Sequence, residues 1–335
     1  MAAAAPRHEA EVRFAAVPAA PLPVASVASA RIVRNAAARS DAVLLDSIAA
    51  APTAPWIRRA ARPVIPIVHQ PPGGMDSGRG SHWLQARLDR MAYRSAVGFI
   101  VASESLREAL LACGVRSSVI RVVPPGCDVP ARSGVSLDLR LGRAASLLCV
   151  ANWLPRKGII QLLEAVARLP PHAATLWLAG ATDADRDYAR RIRRRVASAD
   201  LADRVIVRGT LPVADVGALY AAADVFVLPS FVDPYGTAWA EAMAFGLPIV
   251  GWRAGNLPHL VADGREGLLV EPGDVGGLAV ALRRITEDPG LRERLAEASH
   301  SRAASLLKWD QAASLFFEAL RDLLRGNGGR PQRVP

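Results

Sequence analysis

Nearly throughout the chain, short β-branched apolar runs alternate with longer stretches of helical periodicity, and that alternation admits few architectures. It is the pattern of parallel sheets covered by helices on both faces. In the first half the expected strands are Val12–Val17, Ala42–Asp46, Val64–Val68, Val97–Val101 and Val119–Val123. In the second half they are Leu147–Ala151, Thr175–Ala179, Val205–Arg208, Asp224–Leu228, Pro248–Gly251 and Gly267–Val270. Helices are expected between them, among others at Glu104–Cys113, Gly158–Leu169, Ala214–Ala222 and Gly236–Phe245. In the first of these Leu106, Leu110 and Leu111 share a face, and Gly114 stops the helix.

At 335 residues the chain has room for two cores. The segment Pro124 to Arg143 loses the periodicity and carries Pro, Gly and Asp, which marks a linker. The expected architecture is therefore α/β. Two doubly wound, Rossmann-like domains, residues 1–135 and 136–325, face a central cleft and bind a ligand at the carboxyl ends of their strands. A last helix after Lys308-Trp309-Asp310 is expected to run to about Leu324 and to pack back on the first domain, with residues 326–335 frayed.

The formal charge of +10 is uneven: residues 1–140 hold 17 Arg against 10 Asp and Glu. No RNA-binding aromatic signature, zinc finger or helix-turn-helix accompanies it, so nucleic acid is not the expected partner. The run Arg190 to Arg195 lies on a helix and reads as a solvated face. Cys113, Cys127 and Cys149 have no metal-binding or disulfide spacing and read as reduced thiols of a cytoplasmic protein. The apolar stretch Phe14 to Ala30 is broken by Pro18, Pro21 and Pro23 and follows Glu9 and Glu11, so neither export nor a membrane span is expected.

The chemistry concentrates in Pro229-Ser-Phe-Val-Asp233-Pro-Tyr235-Gly236-Thr237-Ala-Trp-Ala-Glu241-Ala-Met-Ala-Phe-Gly246. A buried strand ends at Pro229 and a helix opens near Gly236, so the helix's first N–H groups point out of the sheet's carboxyl edge, where phosphate or a sugar hydroxyl is favoured. Asp233 precedes the helix and Glu241 lies one to two turns inside it, so both carboxylates could flank one ligand. Taken alone, Asp233 would be a helix cap and Glu241 a solvated glutamate.

This segment resembles the E-x7-E motif of family 4 retaining glycosyltransferases, which have the GT-B fold; here it reads Asp233-x7-Glu241. Other stretches fall where that family has landmarks. They are Arg204-Val-Ile-Val-Arg-Gly209, Leu219-Tyr-Ala-Ala-Ala-Asp224 and Asp263-Gly-Arg-Glu-Gly267. The resemblance extends from about Arg62 to Leu324. It implies that Glu241 holds the donor ribose, that Asp233 contacts the transferred sugar, and that Tyr235, Gly236 and Thr237 belong to the donor site. The family's two cationic positions fall on Asn152 and Lys157, so Asn152 brings hydrogen bonds without charge, while Arg156 points elsewhere. His69, after the run Val64–Val68, matches a histidine facing the sugar. His259 stands where a Glu is common and has no assigned role, and Ser103, Glu104 and Pro125-Gly126 read as structural landmarks.

The function implied is transfer of a hexose from a nucleoside diphosphate sugar to an acceptor hydroxyl with retention, in glycan or glycolipid biosynthesis. No cofactor or metal is expected, and the sequence has no DxD triplet at a strand end. The acceptor is a glycan, a lipid or a small molecule. The basic first half suits a loose contact with an anionic membrane, placing the protein in the cytoplasm or on the membrane's inner face. Two rivals are a non-catalytic nucleotide-sugar-binding protein and a basic surface-binding module. Finally, no glycine precedes Gly73, and His8 to Phe14 resembles the family's second strand. The first strand, glycine-rich turn and helix are therefore expected to be missing, leaving about five strands, a poorly packed start before Glu11 and low activity.

Overall fold

The structure is a computed structural model that describes residues 1–18, 22–75, 79–128 and 137–326. Parts of the expected linker, of the loop Pro71–His82 and of the tail 326–335 lie outside these residues. The chain divides into two compact units, Met1–Gly126 with Leu307–Pro335, and Cys127–Leu306.

The first unit holds the helices α1 (Leu22–Ala38), α2 (Ala50–Ile57), α3 (Arg79–Tyr93) and α4 (Glu104–Ala112). They alternate with strands β1 (Val43–Asp46), β2 (Val64–Val68), β3 (Phe99–Val101) and β4 (Ile120–Val122). The four strands are parallel and ordered β1-β2-β3-β4. Alternation along β2 feeds two cores: Val64 and Val68 pack with α2, α3 and α4, whereas Ile65 faces a cluster built on Phe316, Phe317 and Leu323. Those three lie on the C-terminal helix, Trp309–Gly326, which belongs to this unit. Burying each of the two phenylalanines contributes about 1.5–3 kcal/mol.

Two expectations for this unit are corrected. Residues 12–17 are not a strand, so the sheet has four strands rather than about five. Glu11 and Arg13 pair with each other in solvent, Phe14 is 87% exposed, and Val12 packs instead on the C-terminal helix cluster. The start is not poorly packed either. Residues Ala2–His8 form a 3-10 helix that buries Ala4 and Ala5 in that cluster, His8 stacks on Phe317 at 4.8 Å, and Arg321 donates to the His8 carbonyl at 2.7 Å. The Pro-broken stretch after Phe14 hides α1, whose Val33 and Ala37 are buried.

The second unit runs β5 (Ala145–Val150), α5 (Ile159–Ala167), β6 (Ala174–Ala179), α6 (Arg186–Val196), β7 (Val205–Gly209), α7 (Val213–Ala222), β8 (Val225–Val227), α8 (Thr237–Ala244), β9 (Ile249–Trp252), α9 (Leu257–Leu260), β10 (Gly267–Val270), α10 (Val275–Glu287) and α11 (Pro289–Ala303). All six expected strands are present, in the parallel order β10-β9-β8-β5-β6-β7. The winding reverses between β5 and β8, and at such a switch point the loops leaving the two strands diverge and open a crevice. Both loops carry residues singled out from the sequence, Asn152 to Gly158 after β5 and Ser230 to Gly236 after β8.

Candidate active site

Gly158 lets these two loops meet. Its φ is +69°, and a Cβ there would lie 2.1 Å from the Pro229 carbonyl oxygen, so the 3-10 turn Pro155–Lys157 can press against the exit of β8 only without a side chain at its end. Arg156 fastens the contact: its carbonyl accepts from the Phe231 N–H at 2.7 Å, and its guanidinium donates to the Val232 carbonyl at 3.2 Å. Arg156 is thus occupied with backbone, while the neighbouring Lys157 extends its ammonium to Asp233, Nζ to Oδ2 2.5 Å. Both side chains are largely buried, at 15% and 12% exposure, so this pair is shielded from solvent.

The other Asp233 oxygen, Oδ1, accepts from the Gly236 N–H at 2.8 Å. The helix-cap role open to Asp233 from sequence and its place in a charged cluster therefore coexist, one on each oxygen. Gly236, at φ +89°, ends the turn, and α8 starts with no side-chain cap on its first N–H groups. Tyr235 is half-buried, which pushes its hydroxyl up to about 12, and Thr237 is exposed.

Glu241 is not a solvated helix residue. It is half-buried one turn into α8, and its Oε2 accepts from the Tyr220 hydroxyl of α7 at 3.1 Å. Burial raises its pKa above the usual carboxylate range, and the Tyr220 donation offsets part of that. Oε1 has no partner among the described residues. Tyr220 is fully buried, with its ring stacked on Phe245 at 5.5 Å, which fixes the direction of its O–H.

The remaining candidates divide. Asn152 is exposed, and its Oδ1 accepts from the Ala181 N–H at 3.1 Å, joining the loops after β5 and β6 rather than contacting Lys157 or Asp233. His69 lies in the first unit at the end of β2, about half exposed. Its N–H donates to Ser47 Oγ at 3.1 Å and its Nε2 is 3.7 Å from Asp46 Oδ2. His259 sits on α9, its carbonyl accepting from Arg302 at 3.4 Å. Cys149 is fully buried, its thiol pushed up to about 12, so it stays an un-ionised core residue. Among the described residues no group of three His, Cys, Asp or Glu gathers to hold a metal ion.

Two residues of this site were not singled out from sequence. Tyr220 was visible only as part of a landmark, because its bond to Glu241 spans 21 positions. Asn256 donates its N–H to the Asp233 carbonyl at 3.0 Å and its Nδ2 to the Tyr235 carbonyl at 2.8 Å, and so holds the turn that presents Asp233. The available signal was the Gly255-Asn256 turn after a strand; Gly255, at φ +57°, passes so near that a Cβ would lie 2.7 Å from the Asp233 carbonyl oxygen.

Residues 141–302 match the family model described as glycosyl transferases group 1, and residues 2–126 match the glycosyl transferase 4-like domain. The chain belongs to glycosyltransferase family 4. Its parallel sheets are those of the GT-B fold. Curated relatives include glycogen synthase of Mycobacterium tuberculosis, 29% identical over 82% of this chain and 66% of that protein. Another is the lipopolysaccharide core biosynthesis glycosyltransferase LpsE of Rhizobium meliloti, 35% identical over 47% of this chain and 44% of that protein. The matched regions thus span less than two thirds of either relative. Among solved structures, Anabaena HepE in complex with UDP-glucose superposes with a TM-score of 0.75 at 22% identity, covering 96% of this chain and 87% of that one. Among the described residues no helix of this glycosyltransferase is long and apolar enough to cross a membrane.

Proposed function

We propose that this glycosyltransferase moves a hexose from a nucleoside diphosphate sugar to an acceptor hydroxyl with retention of configuration, and that the loops after β5 and β8 with the start of α8 form its donor site. The observation that carries this reading is the set of polar groups on the loop after β5, the loop after β8 and α8: a largely buried Lys157–Asp233 pair, and a half-buried Glu241 whose Oε1 has no partner among the described residues. Glu241 accepts from the donor ribose, and Asp233 faces the transferred sugar. Tyr235, Gly236 and Thr237 line the approach to the first N–H groups of α8, and Asn152 stands at the rim. Lys157 faces the diphosphate, where its charge stabilises the negative charge that grows as the sugar leaves. No residue in the motif stands as an obvious base, and the leaving phosphate takes the acceptor's proton. His69, at the end of β2, takes the role of the histidine that faces the transferred sugar in the family, and no metal or cofactor takes part.

The relatives, a glycogen synthase and a lipopolysaccharide core biosynthesis glycosyltransferase, support a place in glycan or glycolipid synthesis. The basic first half supports a cytoplasmic protein peripheral on an anionic membrane face. A panel of nucleoside diphosphate sugars, scored by nucleoside diphosphate released with and without candidate acceptors, tests the reading. Release that disappears in Glu241→Ala supports it, and no release from any donor sinks it. A second reading, donor binding without turnover, is favoured by Asn152 at a usually cationic position; saturable donor binding without release in the same panel would select it.

A further inference from the structure

One face of the first unit is charged with a single sign. On α1 the exposed residues Val24, Val27, Arg31 and Arg34 follow one another at helical spacing, and on α3 Trp83, Arg87 and Arg90 do the same, with Arg94 exposed just past its end. α2 packs against both helices, and the Trp56 indole N–H donates to the Ser26 carbonyl of α1 at 2.6 Å. Beyond the end of α2 stand Arg58, Arg59 and Arg62, all exposed. The only acidic residue within the three helices is Asp89, which is buried at 1% exposure. None of the eight arginines has an ion-pair partner among the described residues. Elsewhere in the unit the signs mix: α4 carries Glu104 and Glu108, and the C-terminal helix Asp310, Glu318 and Asp322.

The apolar part of this face is also unusual. Val24 is 60% exposed, Val27 72%, Trp83 60% and Leu84 45%, and all four lie toward the starts of α1 and α3 with the arginines after them. The Arg87 guanidinium lies 5.7 Å from the Trp83 ring, and the Arg59 guanidinium 5.9 Å from that of Trp56. Aliphatic side chains at one end of a stripe and guanidinium groups along the rest match an interface with acyl chains below and anionic headgroups around them. Nucleic acid would meet the arginines equally well but offers nothing to Val24, Val27 and Leu84.

We propose that the α1–α3 face is the surface by which this protein docks on an anionic lipid bilayer, with Trp83, Leu84, Val24 and Val27 entering the headgroup boundary and the arginines pairing with lipid phosphates. This deepens the peripheral placement proposed above and does not depend on the donor site. The test is sedimentation of the full chain with phosphatidylglycerol-containing vesicles and with phosphatidylcholine vesicles at low and high salt. Binding is expected to the anionic vesicles, lost at high salt, and weak to the neutral ones.

The triple change Arg87→Glu, Arg90→Glu, Arg94→Glu should weaken binding by about a hundredfold or more, since each arginine contributes about fivefold near an anionic surface. Trp83→Ala should weaken binding at constant salt and remove a blue shift of indole emission on vesicle addition. The triple change Arg190→Glu, Arg191→Glu, Arg194→Glu on α6 should bind like wild type. Calorimetric titration with UDP, unchanged in the α3 variant, keeps the donor site out of the comparison. If the folded α3 variant binds as well as wild type, another face docks. If wild type ignores anionic vesicles or prefers single-stranded RNA to them, the bilayer is not the partner.

Discussion

Lys157 and Asp233 stand 76 positions apart and meet as a largely buried ion pair where the chain leaves two neighbouring strands, β5 and β8. Each keeps the other's charge compensated while no donor is present. In the proposed donor site, a diphosphate would offer the ammonium a second anionic partner and free Asp233 to turn toward sugar hydroxyls.

Lys157→Ala is accordingly expected to act twice. It strands a buried carboxylate, which costs on the order of 3 kcal/mol of stability. It also lowers turnover more than donor affinity, because the lost charge matters most as the phosphate leaves. Lys157→Arg should recover part of both. Chemical denaturation and steady-state kinetics read the two effects separately, and equal loss in kcat/KM and donor affinity would remove Lys157 from the leaving-group role.

Glu241→Ala should weaken donor binding by about 1.5–3 kcal/mol, the scale of hydrogen bonds to a charged group. Calorimetry with the nucleoside diphosphate measures it. A folded variant with wild-type affinity would place the ribose elsewhere.

The same carboxyl sets a pH dependence. Burial raises its pKa and Tyr220 partly restores it, so the ionised form that the proposed ribose contact requires is lost on acidification at a pH above the ordinary carboxylate range. Donor affinity should fall as pH drops through that raised value, and Tyr220→Phe, which keeps the stacked ring and deletes only the hydroxyl, should move the fall to still higher pH. For stability the sign is opposite. A raised acid takes up its proton more readily folded than unfolded, so its contribution is lost as pH rises, and Glu241→Gln should gain stability at neutral pH. An unmoved profile in Tyr220→Phe would show that the hydroxyl does not govern Glu241.

Asp89 offers a second, independent titration. Its Oδ2 accepts from the Gly73 N–H at 2.9 Å, its Oδ1 is buried with no hydrogen-bond partner among the described residues, and burial pushes its pKa up to about 6. The folded state therefore favours the protonated acid, and stability is lost as pH rises through the interval up to about 6. Asp89→Asn should stabilise the protein by about 1–2 kcal/mol at pH 8, with the gain vanishing below pH 4. Melting temperatures across that range check it, and a constant difference would assign the effect to packing.

The second unit was legible because its strands are buried on both faces. Leu147, Leu148 and Cys149, or Val225, Phe226 and Val227, are unbroken apolar runs of strand length, as strands covered on both faces require. Val12–Val17 has similar composition, but without a neighbouring strand to accept its backbone bonds it lies outside the sheet. Composition alone does not report the neighbour. α1 was hidden because the prolines at 18, 21 and 23 argue against a helix when read together, while a helix starting at Leu22 accommodates Pro23 in its first turn. In the candidate site, local spacing placed Asp233 and Gly236 before a helix and Glu241 within it, while their roles came from the family resemblance alone. Tyr220 and Asn256 act through hydrogen bonds between different elements, which spacing does not encode.

The C-terminal helix returns to the first unit after the chain has completed the second. Ala4, Ala5, Ile65, Val97 and Ile100 therefore wait for Phe316, Phe317 and Leu323 to cover them. During synthesis the first unit cannot close its second core until Phe316, Phe317 and Leu323 have emerged, whereas the continuous Cys127–Leu306 unit can fold as soon as it is out of the ribosome. Of the two units, the one begun first is finished last, and until then its apolar sheet face stays uncovered.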